Sequence, residues 1–465
     1  MLVCDFLNDE LSSFAKYSCY RGLPSAIDGL KNSGRKIVYV AQTDLKRETK
    51  VSVFSGIVQV NTEYLHGDIS GSVVKLARDY TGSNNIPILI PEGNFGTRMM
   101  PKASANRYIF VSKPSYFDKL FSPQDSNILI SQEFEGSKIE PRFFTPTLPL
   151  VFLNYTKSLA TGFSGEILPR DPKNIIKLLK KYLKEDKLDK KLMKVFFRGF
   201  KGEISQEENK VLIKGKFTRD KYNTIIVEEI PIGFDLQSYK SHLDSLEEKK
   251  KIKSYEDHSE DDNFKFIIKL EKSVFEESDA SLEKLLKLTK TFTENYTCLD
   301  EDNNIVSFNS DIELLEYYIK IKLKYLEFRR QYIIDNKVVD LKELYSEFLF
   351  IKMVLDNIID LRKMNKTEIV ELLKENNKIV TKNDSYDYLL RIAIVNFTPE
   401  KLQELKDKIK DLKETIDTLN SKSNKDIWLE ELESLEKLSV FKDINSILKS
   451  IRNRKILYRI LQKVS

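Results

Sequence analysis

A candidate set of side chains able to grip or attack an anion stands in the first 110 residues: Arg21, Lys31, Arg35, His66, Arg98, Arg107 and Tyr108. The adjacent pair Arg107-Tyr108 carries the most chemistry. A free phenol titrates near pH 10, so it is a poor nucleophile at neutral pH until cations stabilise the phenolate. Once bonded to phosphorus, a tyrosine remains a tolerable leaving group, and the link it forms can be reversed without hydrolysis. Cations beside a tyrosine are also common on plain protein surfaces, and the cluster by itself leaves both readings open.

Other chemistries find little support. No Gly-x-x-x-x-Gly-Lys-Ser/Thr phosphate loop is present; Gly29 to Lys36 comes near it, with Arg35 where lysine should stand. Three histidines, His66, His242 and His258, are too few for a multi-histidine metal centre. Cys4, Cys19 and Cys298 lack metal-ligand spacing and read as reduced thiols. The acidic runs Glu260-Asp-Asp262 and Asp300-Glu-Asp302 flank asparagines and read as hairpin tips, with Mg²⁺ binding the lesser reading. The start lacks a basic region followed by an apolar core, and the apolar run near Pro149 to Leu153 is too short to span a bilayer. A cytoplasmic protein, host-cell cytoplasm if viral, is the expectation. The net charge of +5 says little; over the first 120 residues Lys and Arg outnumber Asp and Glu 15 to 11, a mild preference for an anionic partner.

The elements that must position these residues follow from periodicity. Helices are expected around Asn8–Tyr20, Ser33–Leu45, Ser52–Asn61 and Ile69–Tyr80, the last capped by Asp68 and buried through Ile69, Val73, Leu76 and Tyr80. Gly-, Asn- and Pro-rich turns then lead to a strand at Arg107–Val111. Short helices followed by a β wing make a winged-helix unit, which carries a helix toward a DNA groove. Residues 121–310 mix strands (Asn127–Ile130, Leu212–Ile213, Thr224–Glu228) with helices (Lys173–Leu183, Leu282–Leu288). Beyond Asp311 the pattern becomes helical throughout. Ile312, Leu315, Ile319, Leu323, Leu326 and Ile333 repeat at helical spacing, and Leu402, Leu405, Ile409, Leu412, Ile416 and Leu419 alternate at three and four residues. Two such segments about 70 residues apart suggest an antiparallel helical pair with a knob at its turn; core faces of an ordinary bundle are the alternative.

The motifs Tyr64-Leu-His-Gly-Asp68, Gly82-Ser-Asn-Asn85, Gly93-Asn-Phe-Gly-Thr-Arg98 and Ala105-Asn-Arg-Tyr-Ile-Phe110 follow one another in order. With Arg21-Gly-Leu-Pro24, Asp28-Gly-Leu-Lys31 and Arg35 upstream, this resembles the cleavage core of type IIA DNA topoisomerases. The likeness is to the gyrase A subunit, eukaryotic topoisomerase II and especially the medium subunit of bacteriophage enzymes. Pro146–Phe163, Thr293–Phe308, Asp417-Thr-Leu-Asn420 and Asp426–Leu432 extend it over nearly the whole chain. The sequence departs from the pattern at Leu65, where relatives often carry Pro or His, and at Leu159, where most carry isoleucine. Ile69 stands where gyrase often has a serine implicated in quinolone contact, which puts that mode of drug binding in doubt.

The resemblance implies an α+β multidomain fold, mainly helical. Its parts would be a winged-helix cleavage domain (1–120), an α/β tower (121–310), a descending coiled-coil helix (311–345), a dimerising knob (346–400) and a returning helix with C-terminal helices (401–465). It implies a transient double-strand break through a 5′-phosphotyrosyl link, with Tyr108 as nucleophile, Arg107 and His66 assisting, Arg21, Lys31, Arg35 and Arg98 holding DNA, and Leu159 as an intercalating wedge. Mg²⁺ and ATP would enter through a TOPRIM-type partner subunit, with this chain dimerising and binding double-stranded DNA. The break would be resealed after strand passage; no wrapping domain is recognised after the arm, so relaxation of supercoils, with decatenation, is expected ahead of their introduction. The rival readings are a non-enzymatic architectural DNA clamp and a coiled-coil scaffold.

Overall fold

The computed structural model describes residues 6–260 and 262–438. Among these, one compact unit holds the chain up to Lys322 and resumes at Leu429, and a second comprises Leu323–Trp428. The expected C-terminal helices beyond residue 438 lie outside the described residues.

In the first unit a helical turn, Phe6–Leu11, leads into α1 (Ser12–Gly22), followed by α2 (Asn32–Thr43), β1 (Thr49–Lys50), α3 (Val51–Asn61) and α4 (Ser70–Ala77). Helices α2 to α4 each bury one apolar stripe: Ile37, Val38 and Ala41 from α2, Val51, Phe54 and Val58 from α3, Val73, Val74 and Ala77 from α4. Asp68 does not cap α4 at the expected residue. Its Oδ1 accepts from the Ser70 backbone N–H at 2.9 Å, and the helix begins at Ser70 and ends at Ala77. Strands β2 (Ile90–Glu92) and β3 (Phe110–Ser112) join β1 in a small antiparallel sheet of order β1-β3-β2. Between β2 and β3 lies the long loop that carries Arg98, Arg107 and Tyr108.

The expected strand at Asn127–Ile130 does not form: a helical turn over Pro123–Asn127, begun at Pro123 and capped by the Ser122 hydroxyl, ends there, and residues 128–130 follow as a turn and irregular chain. A short hairpin follows, β4 (Gln132–Phe134) with β5 (Ser137–Ile139). Next comes the hairpin β6 (Thr156–Ala160) with β7 (Phe163–Ile167), then α5 (Pro172–Glu185), started by the Asp171 side chain. Strands β8 (Glu203–Glu207), β9 (Lys210–Lys214), β10 (Lys216–Asp220) and β11 (Thr224–Glu229) precede α6 (Leu236–Glu248). They are followed by β12 (Ser254–Asp257), β13 (Phe266–Lys269), α7 (Asp279–Leu285) and β14 (Thr289–Thr293). The sheet β10-β11-β13-β12 is covered by Tyr239, Leu243 and Leu246 of α6 and Leu282 of α7, which close an apolar core on Ile225, Val227, Phe266 and Ile268. β14, β9 and β8 form a separate three-stranded sheet. The hairpin β15 (Tyr296–Leu299) with β16 (Ile305–Phe308) turns at Asp300, whose carboxylate accepts from the N–H groups of Asp302 and Asn304. That acidic run is a hairpin tip.

Helix α8 (Asp311–Leu355) is 45 residues long. In the second unit its outer part runs beside α10 (Pro399–Ser421) in the opposite sense. Arg330 donates to the Lys422 carbonyl near one end, while Glu347 faces Lys408 toward the other. Between them, α9 (Lys366–Glu375) starts with a reciprocal capping pair, Asn365 and Glu368. Phe350, Ile359, Ile369, Leu373, Ile379 and Leu389 form the apolar centre of this knob. Helix α11 (Asn424–Glu436) is the last described helix. Among the described residues no helix is long and apolar enough to cross a membrane.

Candidate active site and nucleic-acid interface

Tyr108 lies on a turn, where the sequence pattern predicted a strand. Its N–H donates to the Ala105 carbonyl at 2.9 Å, and β3 begins only at Phe110. The difference has a chemical consequence. Neighbours in a strand point to opposite faces, whereas here the Arg107 guanidinium lies 4.8 Å from the centroid of the Tyr108 ring. The phenol is 66% exposed, so the pair is open to a large substrate.

The loop beneath it is held by its own backbone. The Asn94 side chain and carbonyl accept from Gly96 and Ser104, and Thr97 donates to Met100. Gly96 has φ +91°, and a Cβ there would lie 2.5 Å from the Pro101 carbonyl oxygen, so only glycine lets the loop fold back so closely. At the far end of the turn, Val51 and Ser52 of α3 donate to the carbonyls of Ile109 and Asn106.

A second cluster surrounds His66. Its Nε2 pairs with the Tyr17 hydroxyl, its ring meets Tyr17 at 5.6 Å and the edge of Tyr64 at 5.7 Å, and Arg21 lies over Tyr17 at 5.5 Å. Desolvation, then the positive charges of Arg21 and Lys36, hold the imidazole below its usual pKa and so favour the neutral ring. Arg21, Tyr17, Ser18, Asn32, Tyr64 and Leu159 line one cleft of about 340 Å³. The sequence reading missed the tyrosines, although Tyr17 and Arg21 stand four residues apart on α1 and so share a face.

Leu159 is 80% exposed on the β6–β7 hairpin, opposite Ser164. Gly22 at the end of α1 lets the hairpin approach: a Cβ there would sit 2.5 Å from the Leu159 carbonyl oxygen. Lys31 lines a neighbouring cleft of about 250 Å³ with Lys75, Lys157, Ser33 and Ser72, and donates to the Lys157 carbonyl at 3.0 Å. Burial, then Lys75, push the Lys31 ammonium below its ordinary pKa.

Two expected DNA contacts are buried. Arg35 is 1% exposed; its Nε donates to Asp28 Oδ2 at 3.0 Å and its Nη2 to the Leu30 carbonyl at 3.2 Å. Arg98 is 5% exposed; it donates to Glu229 Oε1 at 2.5 Å and to the Ile230 carbonyl at 2.6 Å. Neither guanidinium faces solvent, and both serve as internal ties. Among the described residues, no hydrogen bond, ion pair or ring contact joins the Arg107–Tyr108 pair to the His66 cluster. No group of three His, Cys, Asp or Glu side chains there converges to hold a metal ion.

A family model for the A subunit of DNA gyrase/topoisomerase IV matches residues 21–433. DNA topoisomerase 2 of Penicillium chrysogenum is 30% identical over 471 residues, covering 92% of this chain and 29% of that protein. The mitochondrial DNA topoisomerase 2 of Dictyostelium discoideum is 29% identical over 447 residues, covering 93% and 35%. The crystal structure of the Plasmodium falciparum topoisomerase II DNA-binding, cleavage and re-ligation domain superimposes with a TM-score of 0.81. It shares 28% identity and covers 98% of this chain and 65% of that one. The chain thus spans about a third of the length of the curated relatives it matches. It belongs to the family of the DNA gyrase/topoisomerase IV A subunits.

Proposed function

We propose that this chain is the DNA-breaking and rejoining part of a type II DNA topoisomerase. The observation that carries the reading is the exposed Tyr108 phenol with the Arg107 guanidinium beside its ring. In the forward step Tyr108 Oη attacks a backbone phosphorus, the bond from phosphorus to the 3′ oxygen breaks, and that oxygen leaves as a 3′-hydroxyl on taking up a proton. The tyrosine then holds the 5′ phosphate. Attack by the 3′-hydroxyl reverses the step and reseals the strand. Arg107 serves the negative charge that grows on the phosphoryl oxygens and on the phenolate. His66, neutral and flanked by Tyr17 and Arg21, hydrogen-bonds a phosphate oxygen. Arg21 and Lys31 hold the duplex backbone without reading its bases, and Leu159 enters between base pairs as a wedge.

On this reading residues 1–120 act as a winged-helix cleavage domain and 121–310 as a tower. Segment 311–345 acts as the descending helix of a coiled-coil arm, 346–400 as a dimerisation knob, and the returning arm helix follows from 401. Ile394 and Val395, 83% and 80% exposed on that knob, suit a contact with a second copy. Double-stranded DNA is the substrate, and relaxation of supercoils and decatenation are the expected outcomes. By the resemblance to the bacteriophage enzymes, ATP and Mg²⁺ would be held by a TOPRIM-type partner subunit.

The test is covalent trapping. The chain, assembled with its partner subunit, is mixed with supercoiled plasmid and Mg²⁺, then denatured and treated with protease. Nicked or linear DNA bearing this polypeptide is expected, and is lost in Tyr108→Phe. Plasmid that is bound but never cut would favour an architectural clamp.

A further inference from the structure

The tyrosine loop is anchored at both ends by strands, but its middle is anchored elsewhere. Arg98, ten residues before Tyr108, leaves the small sheet and enters the α/β body built on β10-β11-β13-β12. Its guanidinium caps the end of β11 through Glu229 and the Ile230 carbonyl, 131 and 132 residues away. It lies between two aromatic rings, 4.9 Å from Phe264 and 5.7 Å from Phe200. Glu229 is itself fully engaged: Oε1 also accepts from the Ile230 N–H and Oε2 from the Lys201 N–H. Met99 follows Arg98 into the same core, and its carbonyl accepts from Leu236 at the start of α6. From the other side Arg78, at the end of α4, donates to the Pro101 carbonyl at 2.8 Å. The segment from Arg98 to Pro101 therefore ties the α/β body to the loop, and the turn of Tyr108 begins four residues later.

A buried ion pair of this kind adds little stability over apolar replacements, because both charges must be stripped of water. What it supplies is a single geometry: two aimed hydrogen bonds and two ring faces allow one docking of the loop. We propose that Arg98 is a positioning residue for the cleavage step, docking the Tyr108 loop onto Glu229 so that the phenol is held at one place relative to the α/β body. The proposal rests on Tyr108 being the nucleophile.

The experiment compares wild type, Arg98→Lys, Arg98→Met/Glu229→Gln and Tyr108→Phe, each as the full chain assembled with its partner subunit. A nicked duplex that cannot be resealed reports the rate of covalent attachment, and fluorescence anisotropy reports DNA affinity. 3-Fluorotyrosine at position 108 reports loop order by its ¹⁹F line. The double variant removes both charges, so no lone carboxylate is left buried. It is expected to bind DNA as wild type does, to attach about 10²-fold more slowly, the scale of a misplacement near 1 Å, and to broaden or split the ¹⁹F line. Arg98→Lys, which keeps one bond to Glu229, should recover part of the rate. If the double variant does not fold, Glu229→Gln alone is read by the same three measurements. Wild-type attachment with a single sharp ¹⁹F line in the variant overturns the proposal. So does a loss of affinity with a shallower salt dependence, which would make Arg98 a phosphate contact. If wild type itself forms no Tyr108-dependent adduct, the functional reading fails; the ¹⁹F line still decides whether Arg98 orders the loop.

Discussion

Arg35→Met separates two roles that look alike in the sequence. A phosphate-gripping arginine lies on the surface; its loss changes stability by no more than about 0.5 kcal/mol and lowers the salt slope of DNA binding by about one. Here Arg35 is 1% and Asp28 0% exposed, with Nε and Oδ2 3.0 Å apart. Removing the cation leaves a carboxylate in the core, a change that costs about 3–5 kcal/mol. Asp28 also accepts from the Leu30 and Phe144 N–H groups, one on each oxygen. In Arg35→Met/Asp28→Asn the buried charge is gone, but the amide offers a single oxygen and one N–H loses its partner, for about 1–3 kcal/mol. The double variant should therefore be the more stable of the two. Urea unfolding of the full chain followed by far-ultraviolet circular dichroism measures this, with the transitions of the two units fitted separately. Both variants should keep the wild-type salt slope at temperatures where they are folded. A wild-type midpoint for Arg35→Met, together with a slope smaller by one, would refute the assignment of Arg35 to the core.

Two further outcomes are expected. Leu159→Ala should leave the unfolding midpoint unchanged, within about 0.5 kcal/mol for so exposed a side chain, while lowering the bent fraction of a duplex labelled at both ends for energy transfer; an unchanged bend would remove Leu159 as the wedge. The His66 ring should titrate below 6.5 in the free protein and move upward when duplex DNA is added, because a phosphate favours the imidazolium. Since its folded pKa is depressed, the unfolded chain takes the proton first, and folding loses a little stability as pH falls below about 6.5. An NMR titration of the ring at or above 6.5 without DNA, or one that DNA leaves unmoved, contradicts this.

Much of the local structure was legible in the residues. The helices around Ser12–Gly22, Asn32–Thr43 and Val51–Asn61, and the part of Asp311–Leu355 up to Ile333, announce themselves by apolar spacing, which is a property of neighbours three and four apart. Ser70–Ala77 came out shorter than its pattern because Asp68 starts a turn before the helix and Arg78 leaves helical geometry after it. The strand expected from Arg107 begins three residues later, at Phe110, since β-propensity cannot register a turn closed by one backbone hydrogen bond. Tyr108, Arg107, His66 and Leu159 were all recognisable as residue types in order. What the residues alone could not reveal is which cations face water. Arg21, Lys31, Arg35 and Arg98 read identically as positive charges, yet Arg35 meets Asp28 seven residues away and Arg98 meets Glu229 across 131 residues. Pairing of that range is decided by where the chain places a carboxylate, and only the tertiary structure determines it.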